Sequence, residues 1–267
     1  MTQPTYTKSQ KKIINYLYKF RYILIEQIQI LLNHKNSFRI REWLTDLEKK
    51  RYIKILRDPK DKTKPYVICL AQKARYILGK DEDMDHNFLN RLYKEKSYSE
   101  DFIKRHLFIV ETYLYFLRTK DNESSLSFFT QRDLKGYDYF PEDLPDAYID
   151  LQEAHGNSRY FLDFFDNQAE PGNVRYRIRT YFEYYEEMKW QNNTDNAPFP
   201  AILMIFENKY RKTHGLYYAQ ALLKKSTADD IAIFMALKNS IQSPQADETA
   251  WINVKEEVRQ ENLLKVE

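Results

Sequence analysis

Residues 37–70 read SFRIREWLTDLEKKRYIKILRDPKDKTKPYVICL, and the order of elements in this stretch decides the architecture of the first third of the chain. Ile40, Trp43, Leu44 and Leu47 recur at i, i+3, i+4 and i+7, which is one face of a helix over 37–51. Arg39, Arg41, Glu42, Thr45, Asp46 and Lys49 fall on the opposite face. Just upstream, Asn33-His34-Lys35-Asn36 supplies turn residues and an N-cap at Asn36 or Ser37. Two β-rich runs follow, 52–57 and 66–70. The charged loop between them, counted with Arg57, offers four cations: Arg57, Lys60, Lys62 and Lys64.

Working outward, two more helical patterns precede this stretch. One covers 9–21 and buries Ile13, Ile14, Leu17 and Tyr18; the other covers 25–32, with Leu24, Ile28 and Leu31 at i, i+4 and i+7. A helix over 71–78 follows, with Gly79 as its C-cap. Helix, helix, helix, strand, basic loop, strand is the order of a winged helix-turn-helix, and residues 8–80 resemble the winged-helix DNA-binding superfamily. In that arrangement the third helix lies in the major groove, and donors from its first turns reach base edges and phosphates. The resemblance therefore implies DNA contacts from Asn36, Ser37, Arg39, Arg41, Thr45 and Lys49 on the helix, and from Lys60, Lys62 and Lys64 on the loop.

Charge supports this division. Residues 1–80 hold 19 Lys and Arg against 6 Asp and Glu, a net of +13, and the remaining residues carry a net of −10. A basic first third joined to an acidic remainder is the pattern of a nucleic-acid reader attached to something else. Other classes are excluded. The five glycines are too dispersed for a dinucleotide fingerprint or a phosphate loop. Cys69 alone rules out an internal disulfide and a cysteine-rich zinc site. No helix-borne histidine pair and no GxSxG elbow occur. The apolar runs are far short of a membrane span, and MTQPTYTKSQKK lacks the apolar core of a secretory signal. A cytoplasmic, DNA-associated protein without a membrane partner is the expectation.

After the acidic break at 80–85, a strongly apolar helix over 99–118 leads into strands at 126–131, 147–151 and 159–166. A helix over 174–190, a strand over 201–206, a helix over 213–224 and a strand over 231–237 complete a layered α/β or α+β unit. A turn over 153–158, centred between His155 and Gly156, would set Asp146 opposite Phe165 and Asp163 opposite Tyr148. The two carboxylates would then be same-face diagonal neighbours, close enough to hold a divalent cation jointly. A one-residue slip would separate them.

Leu144-Pro145-Asp146-Ala147, the hairpin to Phe161-Leu162-Asp163-Phe164-Phe165, and His106-Leu107 on the preceding helix together look like a PD-(D/E)xK nuclease fold. In this order, behind a winged helix, they resemble the replication-relaxation family of bacterial plasmids and integrative elements. The resemblance implies an α+β protein: a winged helix-turn-helix over 1–80, a linker over 81–98, a restriction-endonuclease-like α/β domain with a mixed sheet over 99–240, and a polar tail over 241–267. It implies Asp146 and Asp163 as catalytic and metal residues, with Mg²⁺ or Mn²⁺, in an active member. Here Phe165 stands where such nucleases place a lysine, and a phenyl ring can neither orient water nor offset charge on phosphate. Arg159, Arg175, Arg177, Lys209 and Arg211 are the cations within reach. With phenylalanine in place of that lysine, the resemblance implies a non-catalytic DNA-binding accessory protein of replication or conjugative transfer, requiring no cofactor. Its partners would be double-stranded DNA, replication or relaxase proteins and a second copy of the chain. A transcriptional regulator and a metal-dependent endonuclease remain the alternatives.

Overall fold

The computed structural model describes residues 6–58, 60–61, 63–81, 84–154, 156–226, 230–242, 250–255 and 260–261. The chain forms two compact units, Met1–Leu114 and Tyr115–Glu267.

The first unit opens with α1 (Lys8–Phe20), whose N-terminus is closed by a reciprocal Thr7–Gln10 capping box. The Gln10 amide also donates to Oδ2 of Asp46 at 2.6 Å, tying α1 to α3 (Ser37–Lys49). Between these lie β1 (Tyr22–Leu24) and α2 (Ile25–Leu31). The strands β2 (Ile53–Leu56) and β3 (Val67–Leu70) complete an antiparallel sheet in the order β1-β3-β2. This is a winged helix-turn-helix. Ile13, Ile14, Leu17, Ile28, Ile40, Leu44 and Leu47 are buried between its helices, each contributing about 1.5–3 kcal/mol relative to exposure. The helices and strands read from periodicity are present, and β1 is the addition. Three residues are too short to show a period of two, so the pairing Tyr22↔Cys69 was invisible in the sequence.

A 3-10 turn (Gln72–Ala74) and α4 (Arg75–Leu78) follow β3. Gly79 ends α4 with φ −71°, so it is not the left-handed cap expected. A side chain there would meet the Arg75 carbonyl oxygen at 2.7 Å, and it is this close approach that requires glycine. Where the sequence suggested a linker, the described residues form α5 (His86–Asn90) and a 3-10 segment (Leu92–Ser97) with Leu89, Leu92 and Glu95 buried. Glu95 explains the order. Its carboxylate accepts two hydrogen bonds from Arg21, and its carbonyl accepts from the Tyr22 hydroxyl at 2.7 Å. The division between units falls later, inside α6 (Glu100–Thr119). On α6, His106 Nδ1 lies 2.9 Å from the Phe102 carbonyl and its ring packs on Phe102, a structural setting.

The second unit continues with β4 (Ser125–Thr130), α7 (Gln131–Leu134), β5 (Ala147–Glu153), β6 (Gly156–Phe165), α8 (Pro171–Glu186), α9 (Lys189–Asn193), β7 (Ala201–Phe206), α10 (Lys209–Leu223), β8 (Ile233–Leu237), α11 (Lys238–Gln242), β9 (Trp251–Asn253) and β10 (Gln260–Glu261). The sheet order is β10-β9-β8-β7-β6-β5-β4, with β6, β7 and β8 parallel and the other pairs antiparallel. An antiparallel meander followed by helix-linked parallel strands is a restriction-endonuclease-like α/β arrangement with a mixed sheet. The parallel strands are buried on both faces, which is why AILMIF and IFMAL read as unbroken apolar runs. Gly215 lets α10 sit close: a side chain there would lie 3.2 Å from Val174 on α8 and 3.3 Å from Phe206 on β7. The helix expected over 174–190 is two helices, broken at Met188 with φ 54°. The tail is not wholly polar chain either: β9 adds to β8, and Trp251 is fully buried. No helix among the described residues is long and apolar enough to cross a membrane.

Candidate functional site

The first candidate surface is the outer face of α3. Asn36 caps it, its side-chain oxygen accepting from the Arg39 amide at 3.2 Å. Ser37, Arg39, Arg41, Thr45 and Lys49 are exposed, because Ile40, Leu44 and Leu47 turn the opposite face into the core. Their electrostatic settings differ. Arg39 is paired with Glu42 at 2.8 Å and lies over the Trp43 ring, whereas Arg41 forms no ion pair among the described residues. The Thr45 hydroxyl donates to the Arg41 carbonyl. Phe38, which sequence reasoning passed over, is 68% exposed on the first turn. The available signal was its place off the apolar stripe.

The loop between β2 and β3 is less free than its composition suggested. Arg57 is held bidentate by Glu48 on α3, at 2.9 and 3.2 Å. Lys64 pairs with Asp58 at 3.0 Å, and this contact, first among several, raises its pKa. Lys60 is exposed, its backbone amide bonded to Asp58. Lys62 lies outside the described residues.

The second candidate is the carboxylate pair. The hairpin is tighter than expected: Tyr148 pairs with Phe161 and Ala147 with Leu162, and Glu153↔Gly156 closes the turn. His155, placed in that turn, lies outside the described residues. This two-residue shift keeps the faces but replaces the diagonal, so that one step beyond Ala147↔Leu162 the strands bring Asp146 opposite Asp163. Both are buried, at 6% and 5% exposure. A carboxylate at that depth requires a partner.

That partner is Arg177. Its position on α8 belongs to the apolar stripe Val174, Arg177, Ile178, Tyr181, all buried, which aims the guanidinium at β6. Arg177 Nε donates to Asp163 Oδ2 at 2.9 Å, and the Tyr181 hydroxyl donates to the same oxygen at 2.7 Å. The guanidinium also donates to the Tyr181 oxygen at 2.9 Å and to the Asp143 carbonyl. Asp146 Oδ2 accepts from the Phe164 amide at 2.9 Å. Burial disfavours the charged guanidinium, but Asp163 above all, with a contribution from Asp146, holds its pKa above the ordinary arginine value. Burial likewise raises the Tyr181 hydroxyl, so it remains a donor.

These residues do not fit a resident Mg²⁺ or Mn²⁺. Mg²⁺ is commonly held by one or two carboxylates and several waters, but here the Arg177 guanidinium already occupies Asp163 as its counter-charge, and one oxygen of each carboxylate accepts protein hydrogen bonds. Among the described residues, no group of three or more His, Cys, Asp and Glu is arranged to hold a metal. Phe165, at the position of the missing lysine, stacks on Phe206 with centroids 5.0 Å apart. Of the other cations in reach, Arg159 pairs with Asp150 at 3.4 Å, and Arg175 is exposed. From the sequence alone, Arg177 is one of five cations within reach. Its signal was a cation on a helix stripe that is otherwise apolar.

No protein-family model and no curated protein matches the chain. Among solved structures, it is similar to a transcriptional regulator, Tm0710 from Thermotoga maritima, at 20% identity and a TM-score of 0.26, covering 42% of this chain and 73% of that one. It is also similar to restriction endonuclease FokI, at 11% identity and a TM-score of 0.32, and to FokI bound to DNA, at 14% identity and 0.30. Each FokI likeness covers 91% of this chain and 44% of the FokI chain. At TM-scores this low the likenesses decide nothing, and the fold stands on strand order, register and the packing of α3 and α8.

Proposed function

We propose that the protein docks on duplex DNA through α3 and the β2–β3 loop, and that its second unit is a nuclease-like scaffold in which Arg177 takes the place of a metal ion. The observation that carries this reading is the exposed face of α3: a capped N-terminus followed by Arg39, Arg41, Thr45 and Lys49, backed by a buried apolar stripe. Such a face suits a groove that offers acceptors on base edges and phosphates along its walls. Asn36, Ser37, Lys60, Lys62 and Lys64 complete the proposed contacts. Asp146 and Asp163 then serve the stability of the second unit, and no phosphodiester cleavage is assigned to them.

The wider role we infer is that of an accessory factor near an origin of replication or transfer on a bacterial mobile element, as the resemblance to the replication-relaxation family suggests. Selection of bound fragments from total genomic and plasmid DNA, without added metal, tests it. A sharp peak at such an origin supports the role. A promoter peak would make the protein a regulator, and fragments bound without preference would reduce the winged helix to a general anchor. Metal-dependent cleavage products, lost in Asp146→Ala, would overturn the non-catalytic reading.

A further inference from the structure

One element of the second unit breaks its acidic character. Residues 208–226 read NKYRKTHGLYYAQALLKKS, with five Lys and Arg and no Asp or Glu, inside a remainder whose net charge is −10. Residues 208–224 form α10 and its caps, and Asn208 closes the N-terminus by accepting from the Tyr210 and Arg211 amides. None of Lys209, Arg211, Lys212, Lys224 and Lys225 forms an ion pair among the described residues. Burial, and then the adjacent charge of Lys209, lowers the pKa of Lys212, as expected where cations crowd without counter-ions.

The exposed positions of α10 follow one face. Gly215 and Ala219 turn inward, while Tyr210, His214, Tyr217, Ala221 and Lys224 face outward at i, i+4, i+7, i+11 and i+14. Tyr210 is 62% exposed and Tyr217 is 67% exposed, so neither ring contributes to the core. His214 lies against the first of them, its Nε2 3.1 Å from the Tyr210 hydroxyl and its ring edge-on at 4.9 Å. The two tyrosines stand about 10 Å apart along the axis at 1.5 Å per residue. A row of exposed rings flanked by cations that form no ion pair among the described residues is suited to a strand whose phosphates need neutralising and whose bases are free to stack. A duplex hides its base faces and leaves the rings unused. An acidic protein surface would use the cations but not the stacking face.

We propose that the outer face of α10 binds single-stranded nucleic acid, with bases on Tyr210 and Tyr217 and the backbone along Lys209, Arg211, Lys224 and Lys225. This goes beyond the duplex contact assigned to α3 and does not depend on it. The test is fluorescence anisotropy of a labelled twenty-nucleotide oligo-dT, and of an oligo-U of the same length, with the full chain. Wild type binds, and Tyr210→Ala and Tyr217→Ala each lose about fivefold or more in affinity. Tyr210→Phe and Tyr217→Phe, which keep the rings, retain it. Lys224→Ala and Lys225→Ala flatten the salt dependence by about 0.7 log unit for each phosphate no longer neutralised. The double variant Arg39→Ala/Arg41→Ala keeps single-strand affinity, which separates this site from the duplex site. The proposal falls if wild type fails to bind either strand. It also falls if both tyrosine-to-alanine variants, folded by circular dichroism, bind as wild type does, or if polyglutamate competes as well as the oligonucleotide.

Discussion

Arg177 Nε donates to Asp163 Oδ2 at 2.9 Å between side chains that are 10% and 8% exposed. The pair joins α8 to β6, where the apolar run Phe161-Leu162-Asp163-Phe164-Phe165 is interrupted by one carboxylate. Desolvating two charges costs several kcal/mol each, and attraction alone only partly offsets it, so the further donor from Tyr181 matters. Within the protein, the Asp163 charge is thus answered by Arg177 and Tyr181. The cluster also fixes what can be expected when one member is removed.

Arg177→Met keeps the stem and deletes the charge, leaving Asp163 buried without its cation. The expected loss of stability is about 3–5 kcal/mol, measured by urea unfolding. Asp163→Leu in the same background should recover part of it, because the stranded charge goes too. A single variant within about 0.5 kcal/mol of wild type would show that the cluster does not hold α8 to the sheet.

On α3, Arg41 has no counter-ion among the described residues, and Arg39 is engaged by Glu42. Arg41→Ala is therefore expected to weaken duplex binding by about 1–3 kcal/mol, more than Arg39→Ala does. Both residues are exposed, so thermal stability should not move. Equal affinity for wild type and Arg41→Ala, in titrations at fixed salt, would remove α3 from the interface.

On the loop, Lys60 is exposed and forms no ion pair among the described residues, whereas Lys64 is bound to Asp58. Lys60→Ala should reduce the slope of log affinity against log salt by about 0.9. Lys64→Ala should reduce it less, since its charge is already partly neutralised. The reverse order would mean that the loop rearranges on DNA.

Cys69 sits on β3 fully buried, and burial pushes its thiol up to about 12. Between an unfolded value near 9 and that folded value, only the unfolded chain ionises. Stability is therefore whole below pH 9 and declines as pH rises toward 12. At pH 8 alkylation by iodoacetamide should proceed only through unfolding, at a rate that rises with denaturant. Rapid labelling of the native protein would contradict the burial of β3.

The winged helix was legible because its helices are amphipathic and its turn residues sit where caps are needed. Ile40, Trp43, Leu44 and Leu47 marked the inward face of α3, and the exposed cations followed by subtraction. Pairing among those cations was not legible. Glu48 reaching Arg57 and Asp58 reaching Lys64 depend on how the loop folds back, and no local spacing encodes that. The carboxylate pair was found, yet its register was off by two residues. Turn length in a hairpin is set by the backbone conformation of the turn residues, while the alternation of faces survives any even shift. Arg177 was visible only as one of five candidate cations until the stripe on α8 singled it out. The segment over 81–98 hid its order because one long-range acid, Glu95, anchors it to Arg21 and Tyr22, and composition alone reads such a stretch as polar chain.

The same blindness to long-range burial applies to the C-terminal segment, where weak helical periodicity covered a strand. Trp251 is fully buried on β9, opposite Ala236 of β8, and its indole nitrogen donates to the Tyr115 hydroxyl at 3.2 Å. Burial raises the Tyr115 pKa, and the tryptophan donor opposes that rise, so the hydroxyl oxygen is an acceptor in the folded state. Truncation to alanine removes a large ring and strands the Tyr115 oxygen. Trp251→Ala is expected to cost about 3–5 kcal/mol, and Trp251→Phe less, since it keeps most of the volume and loses the hydrogen bond. Urea unfolding of the two variants checks the order. Equal losses would show that the hydrogen bond dominates over the volume, and no loss in either would remove β9 from the folded core.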